Sequence, residues 1–434
     1  MSAGTLITKV VLNEPGKVHC GTRDPVMGHV RIGYFPRQST PNTELFGHLK
    51  VFVTLHGRAK TKIWKSNGQG TSVYRGRAPL FAQKVLLYDD SFRAQPGELA
   101  MFPFSLVFPV TTDAQAIGIN DFPDQDTKFV CDRNQPLPPS YQAPHQGIGH
   151  RYEAFVEYRV GVDVVMPQLP VEVEKPTKYQ EPVVHYEGPS AFQPVSRSPW
   201  DWKDSISVNN ELLLPESERP SGFKEKTKAL FGTRQFPTYA FDWVCLAPRD
   251  IYLGQPLCFE VHIQPRESEC TAALIPEVRL EFFHVEIKAH AYVRAHKVIF
   301  RTPDSEGHST VFQMNGIVDT AEPFSKANGN TKIITTRAIG NRGISAFSSS
   351  FATYNIVLAY TVKISFALSV TKRSKKIEKE YVVVVHPPLD TAPPPSPAAE
   401  AGPSSEPVNT NNKISDLPPY EPPPTYEKTS SDNT

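Results

Sequence analysis

The residues of this chain best suited to chemistry form a ligand rather than a reaction centre. Near its end stand Leu417-Pro418-Pro419-Tyr420 and, two residues on, Pro423-Pro424-Thr425-Tyr426. The second is a full Pro-Pro-x-Tyr sequence and the first its Leu-Pro-x-Tyr variant. Proline fixes φ near the polyproline II value, so the segment is already extended before it meets a partner. Its rings can then lie in an aromatic-lined groove while tyrosine fills the neighbouring pocket, the way WW domains read peptides. Proline makes up about a quarter of this tail, so one match could arise from composition; a second match close by favours recognition. The site residues expected from this reading are Pro423, Pro424 and Tyr426, with Leu417, Pro418 and Tyr420.

Elsewhere the side chains that could carry reactions do not converge. No G-x-S-x-G, H-E-x-x-H or Walker sequence occurs. His284, His290 and His296 share a parity, but on a strand six residues span roughly 20 Å, too far for one coordination sphere. They read as polar-face residues. Asn67-Gly68-Gln69-Gly70 reads as a turn, because no helix pattern follows it to hold a phosphate. The expectation is no catalytic residue, no metal, no cofactor and no small-molecule substrate. Lys372, Arg373, Lys375 and Lys376 form a dense basic cluster at an expected hairpin. Two readings stand: a solvated turn that discourages edge pairing, or a contact for acidic lipid or cargo.

The 434 residues suffice for two or three domains with their own cores. Mean hydropathy is −0.35 and net charge +1, which fits a soluble body and offers no global field for nucleic acid. Charge is uneven, however. From Pro387 onward seven acidic residues face two basic ones, which leaves the body before it mildly basic and suited to an anionic surface. The five cysteines are widely spread without a C-x-x-C spacing, as in a reducing compartment. Met-Ser-Ala-Gly-Thr opens no basic-then-apolar leader, and no run approaches 18 apolar residues. A cytoplasmic location is expected.

Period-two patterning dominates what must position these groups. Leu49–Leu55, Phe102–Phe108, Val156–Val164, Leu257–Ile263 and Ile356–Val370 each keep apolar residues on one parity, the signature of antiparallel sheet with one buried face. Ser66-Asn67-Gly68, Gln95-Pro96-Gly97 and Asn328-Gly329-Asn330 supply turns. The expected fold class is all-β: two immunoglobulin-like antiparallel β-sandwiches followed by a disordered Pro-rich tail. The boundaries are 1–170 for the first sandwich, 171–235 for a linker with one short helix near Glu225–Phe231, 236–388 for the second sandwich and 389–434 for the tail. Thirteen prolines in the last 48 residues and few apolar groups cannot support a core.

In order along the chain, Val26-Met27-Gly28-His29-Val30-Arg31-Ile32, Leu55-His56-Gly57-Arg58-Ala59-Lys60-Thr61 with its internal glycine, and Pro96-Gly97-Glu98 before Phe102-Pro103-Phe104-Ser105-Leu106 are followed by Leu137-Pro138-Pro139-Ser140-Tyr141. Tyr252-Leu253-Gly254-Gln255-Pro256-Leu257 and Phe351-Ala352-Thr353-Tyr354-Asn355-Ile356 come after these. This succession, with the Pro-Pro-x-Tyr tail, resembles the α-arrestins, in particular fungal arrestin-related trafficking adaptors. The resemblance implies the arrestin fold and a non-enzymatic adaptor in the cytoplasm, recruited to plasma membrane and endosomes. Its body would bind an integral membrane cargo protein, with peripheral membrane contact, and its tail a WW-containing HECT ubiquitin ligase, so that cargo is ubiquitylated and internalised. It further implies that the adaptor is itself ubiquitylated, with Lys224, Lys226 and Lys228 as candidates beside Lys175 and Lys178. The alternative is an arrestin-like sorting-coat or signalling scaffold without ligase. Pro138-Pro139-Ser140-Tyr141 is also a formal Pro-Pro-x-Tyr, but it lies between strand patterns and is assigned to structure.

Overall fold

The alternating segments form strands whose apolar parity points into two sandwich cores. The computed structural model describes residues 4–388 apart from position 22 and the segments 37–43, 67–69, 114–128, 130–133, 147–149, 168–171, 175–180, 189–197, 221–234, 296–306, 317–322 and 340–347. Among the described residues there is no α-helix, only single 3₁₀ turns.

The first sandwich is built from β1 (Gly4–Leu12), β2 (Val18–Cys20), β3 (Val26–Pro36), β4 (Leu45–Ser66), β5 (Thr71–Ala94), β6 (Leu99–Leu106), β7 (Tyr141–Gln146), β8 (His150–Val165), β9 (Glu172–Glu174) and β10 (Val183–Glu187). One sheet runs β6-β3-β1-β9; the other runs β2-β10-β8-β4-β5, with β7 also on β8. Leu49, Val51, Val53 and Leu55 of β4 are fully buried with Tyr158 and Val160 of β8, and Leu6, Val30 and Ile32 complete the core. Burying each such aliphatic side chain contributes about 1.5–3 kcal/mol.

The second sandwich comprises β11 (Trp200–Asn209), β12 (Thr238–Ala247), β13 (Asp250–Tyr252), β14 (Pro256–Pro265), β15 (Val278–Val293), β16 (Gly307–Gly316), β17 (Thr331–Ala338), β18 (Phe351–Ala352), β19 (Ile356–Val370) and β20 (Arg373–His386). Its sheets run β11-β12-β14-β17 and β13-β20-β19-β15-β16, with β18 on β19. Phe283 and Phe366 stack at 5.7 Å, with Trp243 edge-on to Phe366. All eight apolar-parity residues of β19, from Ile356 to Val370, are buried.

The two sandwiches repeat one topology. Strands β1 to β8 and β10 occupy, in chain order, the sheet positions that β12 to β20 occupy in the second sandwich. Each copy even keeps its one parallel pairing in the larger sheet, β2 with β10 and β13 with β20. Strands β9 and β11 lie outside this repeat, each at the corresponding edge, beside β1 and β12.

Residues 171–235, expected to be a linker, supply strands to both bodies. β9 pairs parallel with β1, β10 inserts between β2 and β8, and β11 runs the length of β12. β9 is only three residues long, and in β10 and β11 the apolar alternation is short, with Val184 and Tyr186 buried in the one and Ile206 and Val208 in the other, so composition alone reads the segment as a linker. The parallel pairings are likewise invisible to periodicity, which reports a buried face and not strand direction. The expected helix near Glu225–Phe231 and the tail lie outside the described residues. The chain divides into two units, Met1–Ala392 and Pro393–Thr434.

Candidate functional site

A charged cluster is carried on the outward face of the larger sheet of the first sandwich. β4 and β8 pair over most of their length, which places His56 opposite Arg159 and Arg58 opposite Glu157. Because the inward parity of both strands is core, these polar residues share the outer face. Glu157 accepts hydrogen bonds from Arg159 at 2.8 Å and from Arg58, and Lys60 Nζ lies 3.1 Å from it. Arg159 also donates to the Glu181 carbonyl at 3.2 Å, and His56 pairs with the Glu181 carboxylate at 3.0 Å. Burial pushes the Glu157 carboxyl up, but the bonds from Arg159 and Arg58 outweigh it and hold the group down at about 2. Burial, and then repulsion from Arg58, holds the Lys60 ammonium below its ordinary value. The cations Arg58, Lys60 and Arg159 converge on Glu157 within the sheet face, and among the described residues the cluster contains no nucleophile beside a base.

The basic cluster expected at a hairpin lies at the β19–β20 turn. Thr371 and Lys372 form its two-residue loop, both with positive φ, at 48° and 62°. Acidic neighbours interleave there: Lys376 is 2.6 Å from Glu378 and Lys375 is 3.6 Å from Asp204. Lys372 and Arg373 are exposed. His284 and His290 project from the outward parity of β15, with His290 2.8 Å from Thr361 Oγ1; His296 lies outside the described residues. Among the described residues, no set of three or more His, Cys, Asp or Glu side chains could hold a metal ion.

The interior Pro-Pro-Ser-Tyr is held from both sides. Tyr158, fully buried, donates its hydroxyl to the Pro138 carbonyl at 2.5 Å. Ser140 N donates to Tyr186 O at 2.7 Å, and Tyr186 N donates back to Ser140 Oγ at 2.9 Å. Tyr141 is 6% exposed and meets Phe351 of the second sandwich edge-on, ring centroids 5.2 Å apart. The repeat reproduces the pattern, since Tyr360 of β19 donates to the Ser348 carbonyl at 2.6 Å. A WW groove needs an exposed peptide, and this tyrosine is interior.

Tyr141 and Phe351 open the equivalent strands β7 and β18, so the sandwiches touch through matching positions. Around that contact Thr61 Oγ1 donates to the Arg294 carbonyl at 2.6 Å, and Asn355 Nδ2 donates to the Ala59 carbonyl at 3.3 Å. Arg294, 7% exposed, donates to the Tyr354 carbonyl and lies 4.5 Å from the centre of the Phe129 ring. Nothing in composition or spacing signals this junction, since its polar members come from segments over two hundred residues apart.

The tail residues Leu417, Pro418, Tyr420, Pro423, Pro424 and Tyr426 lie outside the described residues, as do Lys175, Lys178, Lys224, Lys226 and Lys228.

Among solved structures the chain is similar to squid arrestin, at 10% identity over 88% of this chain and 98% of that one, with a TM-score of 0.33. A chain named pT26-6p matches at 8% identity over 88% of this chain and 66% of that one, with a TM-score of 0.15. No protein-family model and no curated protein matches the sequence. The fold therefore rests on the strand order and register of the molecule itself.

Proposed function

We propose that this chain is a non-enzymatic adaptor of the α-arrestin type. Its two-sandwich body binds an integral membrane cargo protein in the cytoplasm, at plasma membrane and endosomes. Its tail recruits a WW-containing HECT ubiquitin ligase, and cargo is ubiquitylated and internalised. The observation that carries this reading is the pair of tail motifs, Leu417-Pro418-Pro419-Tyr420 and Pro423-Pro424-Thr425-Tyr426, on an acidic Pro-rich segment behind a double sandwich. The mechanism is proximity: tethering raises the ligase's effective concentration at cargo lysines.

A pull-down on an array of WW domains tests it. Tyr426→Ala should lose most binding, on the order of 2 kcal/mol, as an aromatic anchor does. Tyr420→Ala should lose less, because Leu417 stands where the first proline would. The two tyrosines are about 19 Å apart when extended, so two WW domains at once are crowded and the weaker motif mainly raises rebinding. Absence of WW binding by the intact chain would instead favour a sorting-coat scaffold without ligase.

A further inference from the structure

The smaller sheet of the first sandwich does not keep a polar exterior. Its outward parity sets Ile7, Gly33 and Leu99 on one rung across β1, β3 and β6. Thr5 and Phe35 form the rung on one side of it, and Lys9, Arg31 and Met101 the rung on the other. Ile7 is 39% exposed, Phe35 46%, Leu99 60% and Met101 62%. Leu99 and Phe35 lean over Gly33, since a Cβ there would meet their side chains at 3.1 and 3.2 Å. The four side chains expose on the order of 400 Å² in one strip, the size at which an apolar patch marks an interaction site. Lys9 and Arg31 beside it are exposed, and Arg31 donates to His29 Nε2 at 2.9 Å rather than to a carboxylate. The other three large sheet faces carry opposed charges instead: Glu157 with Arg58, Glu286 with Lys288, and Glu260 with His262.

We propose that this face pairs with the same face of a second copy of the chain. A three-strand apolar surface is matched by another sheet, the packing already used inside both sandwiches. Among the described outward faces this is the apolar one, so the match is isologous. Charge sets its direction. The register puts Glu172 and Glu174 of β9 at the positions beside Thr5 and Ile7. A second copy turned end for end about the Ile7–Gly33–Leu99 rung lays its Lys9–Arg31 rung over Thr5 and Phe35, next to the position of Glu172. A copy turned about an axis along the strands would stack the two basic rungs, and like charges opposed in this way repel. The edge strand β6 carries Pro103, a residue that discourages strand addition, so association runs through the face. The apolar strip falls short of the roughly 800 Å² per partner of a standard interface, which makes the pair weak and dependent on concentration. The proposal goes beyond the adaptor reading and does not rest on it, since self-association requires neither ligase nor cargo.

Sedimentation equilibrium of the full chain between about 1 and 300 μM tests it. The weight-average mass should rise from 48.4 kDa toward twice that value and level there. Leu99→Lys with Met101→Lys should hold it at the monomer, whereas Ile333→Lys, an exposed change on the second sandwich, should leave the rise unaltered. A monomer at every concentration would overturn the proposal and leave the face to a different protein. Growth past the dimer, or a dimer that survives Leu99→Lys with Met101→Lys, would overturn it as well. Where that pair fails to fold, charge variants decide. Lys9→Glu with Arg31→Glu makes one chain acidic on this face, and Glu172→Lys with Glu174→Lys makes another basic. Each should be monomeric alone, and the two should dimerise when mixed. No dimer in the mixture, or a dimer in either variant alone, overturns the end-for-end pairing.

Discussion

Tyr141 looks like a peptide ligand in one dimension and is a core residue in three. Tyr141→Ala should destabilise the chain by about 3 kcal/mol, as large-to-small changes at buried rings do, while WW binding through the tail persists. Denaturant unfolding beside a pull-down checks both. A folded Tyr141→Ala chain that had lost ligase binding would reverse the assignment. Glu157 has an acid-side consequence. Its folded-state pKa of about 2 lies below the ordinary 4.5, so its contribution is present above 4.5 and is lost as pH falls from there through 2. Glu157→Gln should remove that part of the acid transition, read as a flatter melting temperature between those two pH values. Gly57 is required for close approach, since a Cβ there would meet the Tyr158 ring at 2.5 Å; the internal glycine noticed in the sequence makes room for a buried tyrosine.

The β19–β20 hairpin shows how an element can carry a local conflict. Thr371 and Lys372 both hold positive φ in a two-residue turn, the geometry that favours Asn-Gly. Lys372→Gly should therefore stabilise by about 0.5–1 kcal/mol, because it relieves a left-handed side chain without disturbing a core. An unchanged or lower melting temperature would count against the strain. The strand β4 makes the opposite point. Its inward parity Leu49-Val51-Val53-Leu55 is plain in the sequence, yet its bounds are Leu45–Ser66, because pairing with β5 and β8 extends regular backbone beyond the apolar run.

Among the described residues of Met1–Ala392 the two sandwiches are joined by interior contacts. Gly76 stands opposite Thr61, and a Cβ on it would meet Thr61 Oγ1 at 2.5 Å and the Arg294 carbonyl at 3.0 Å. Gly76→Val should wedge this junction, lower the melting temperature and broaden or split the calorimetric transition into two; a single, unshifted transition would show that the junction does not couple the bodies. Removal of residues 389–434 should leave thermal stability unchanged, since that stretch has few apolar groups to bury, yet abolish ubiquitylation of cargo. Retained ubiquitylation would defeat the ligase-recruiting mechanism, and a large fall in melting temperature would make the tail part of the fold.

Fold class was legible from residue order alone. Alternation reports which parity is buried, and a parity sustained from Ile356 to Val370 admits only a strand with one covered face. The proline-spaced tyrosines of the tail lie in motifs of consecutive residues, so the linear ligand proposed for them is read from a few residues without any long-range pairing. The strands β9, β10 and β11 were not legible: β9 has three residues, and β10 and β11 bury two side chains each, too little for a periodicity. Nor were the pairings that give charges their meaning. The basic hairpin stood out because its cations are adjacent in sequence, but Asp204 and Glu378 come to it only through β11 and β20. The Lys9–Arg31 rung was silent, because cross-strand register, set by the packing of the inner face, is what brings those two positions side by side. Local order dictates the face of each strand; long-range pairing dictates its neighbours.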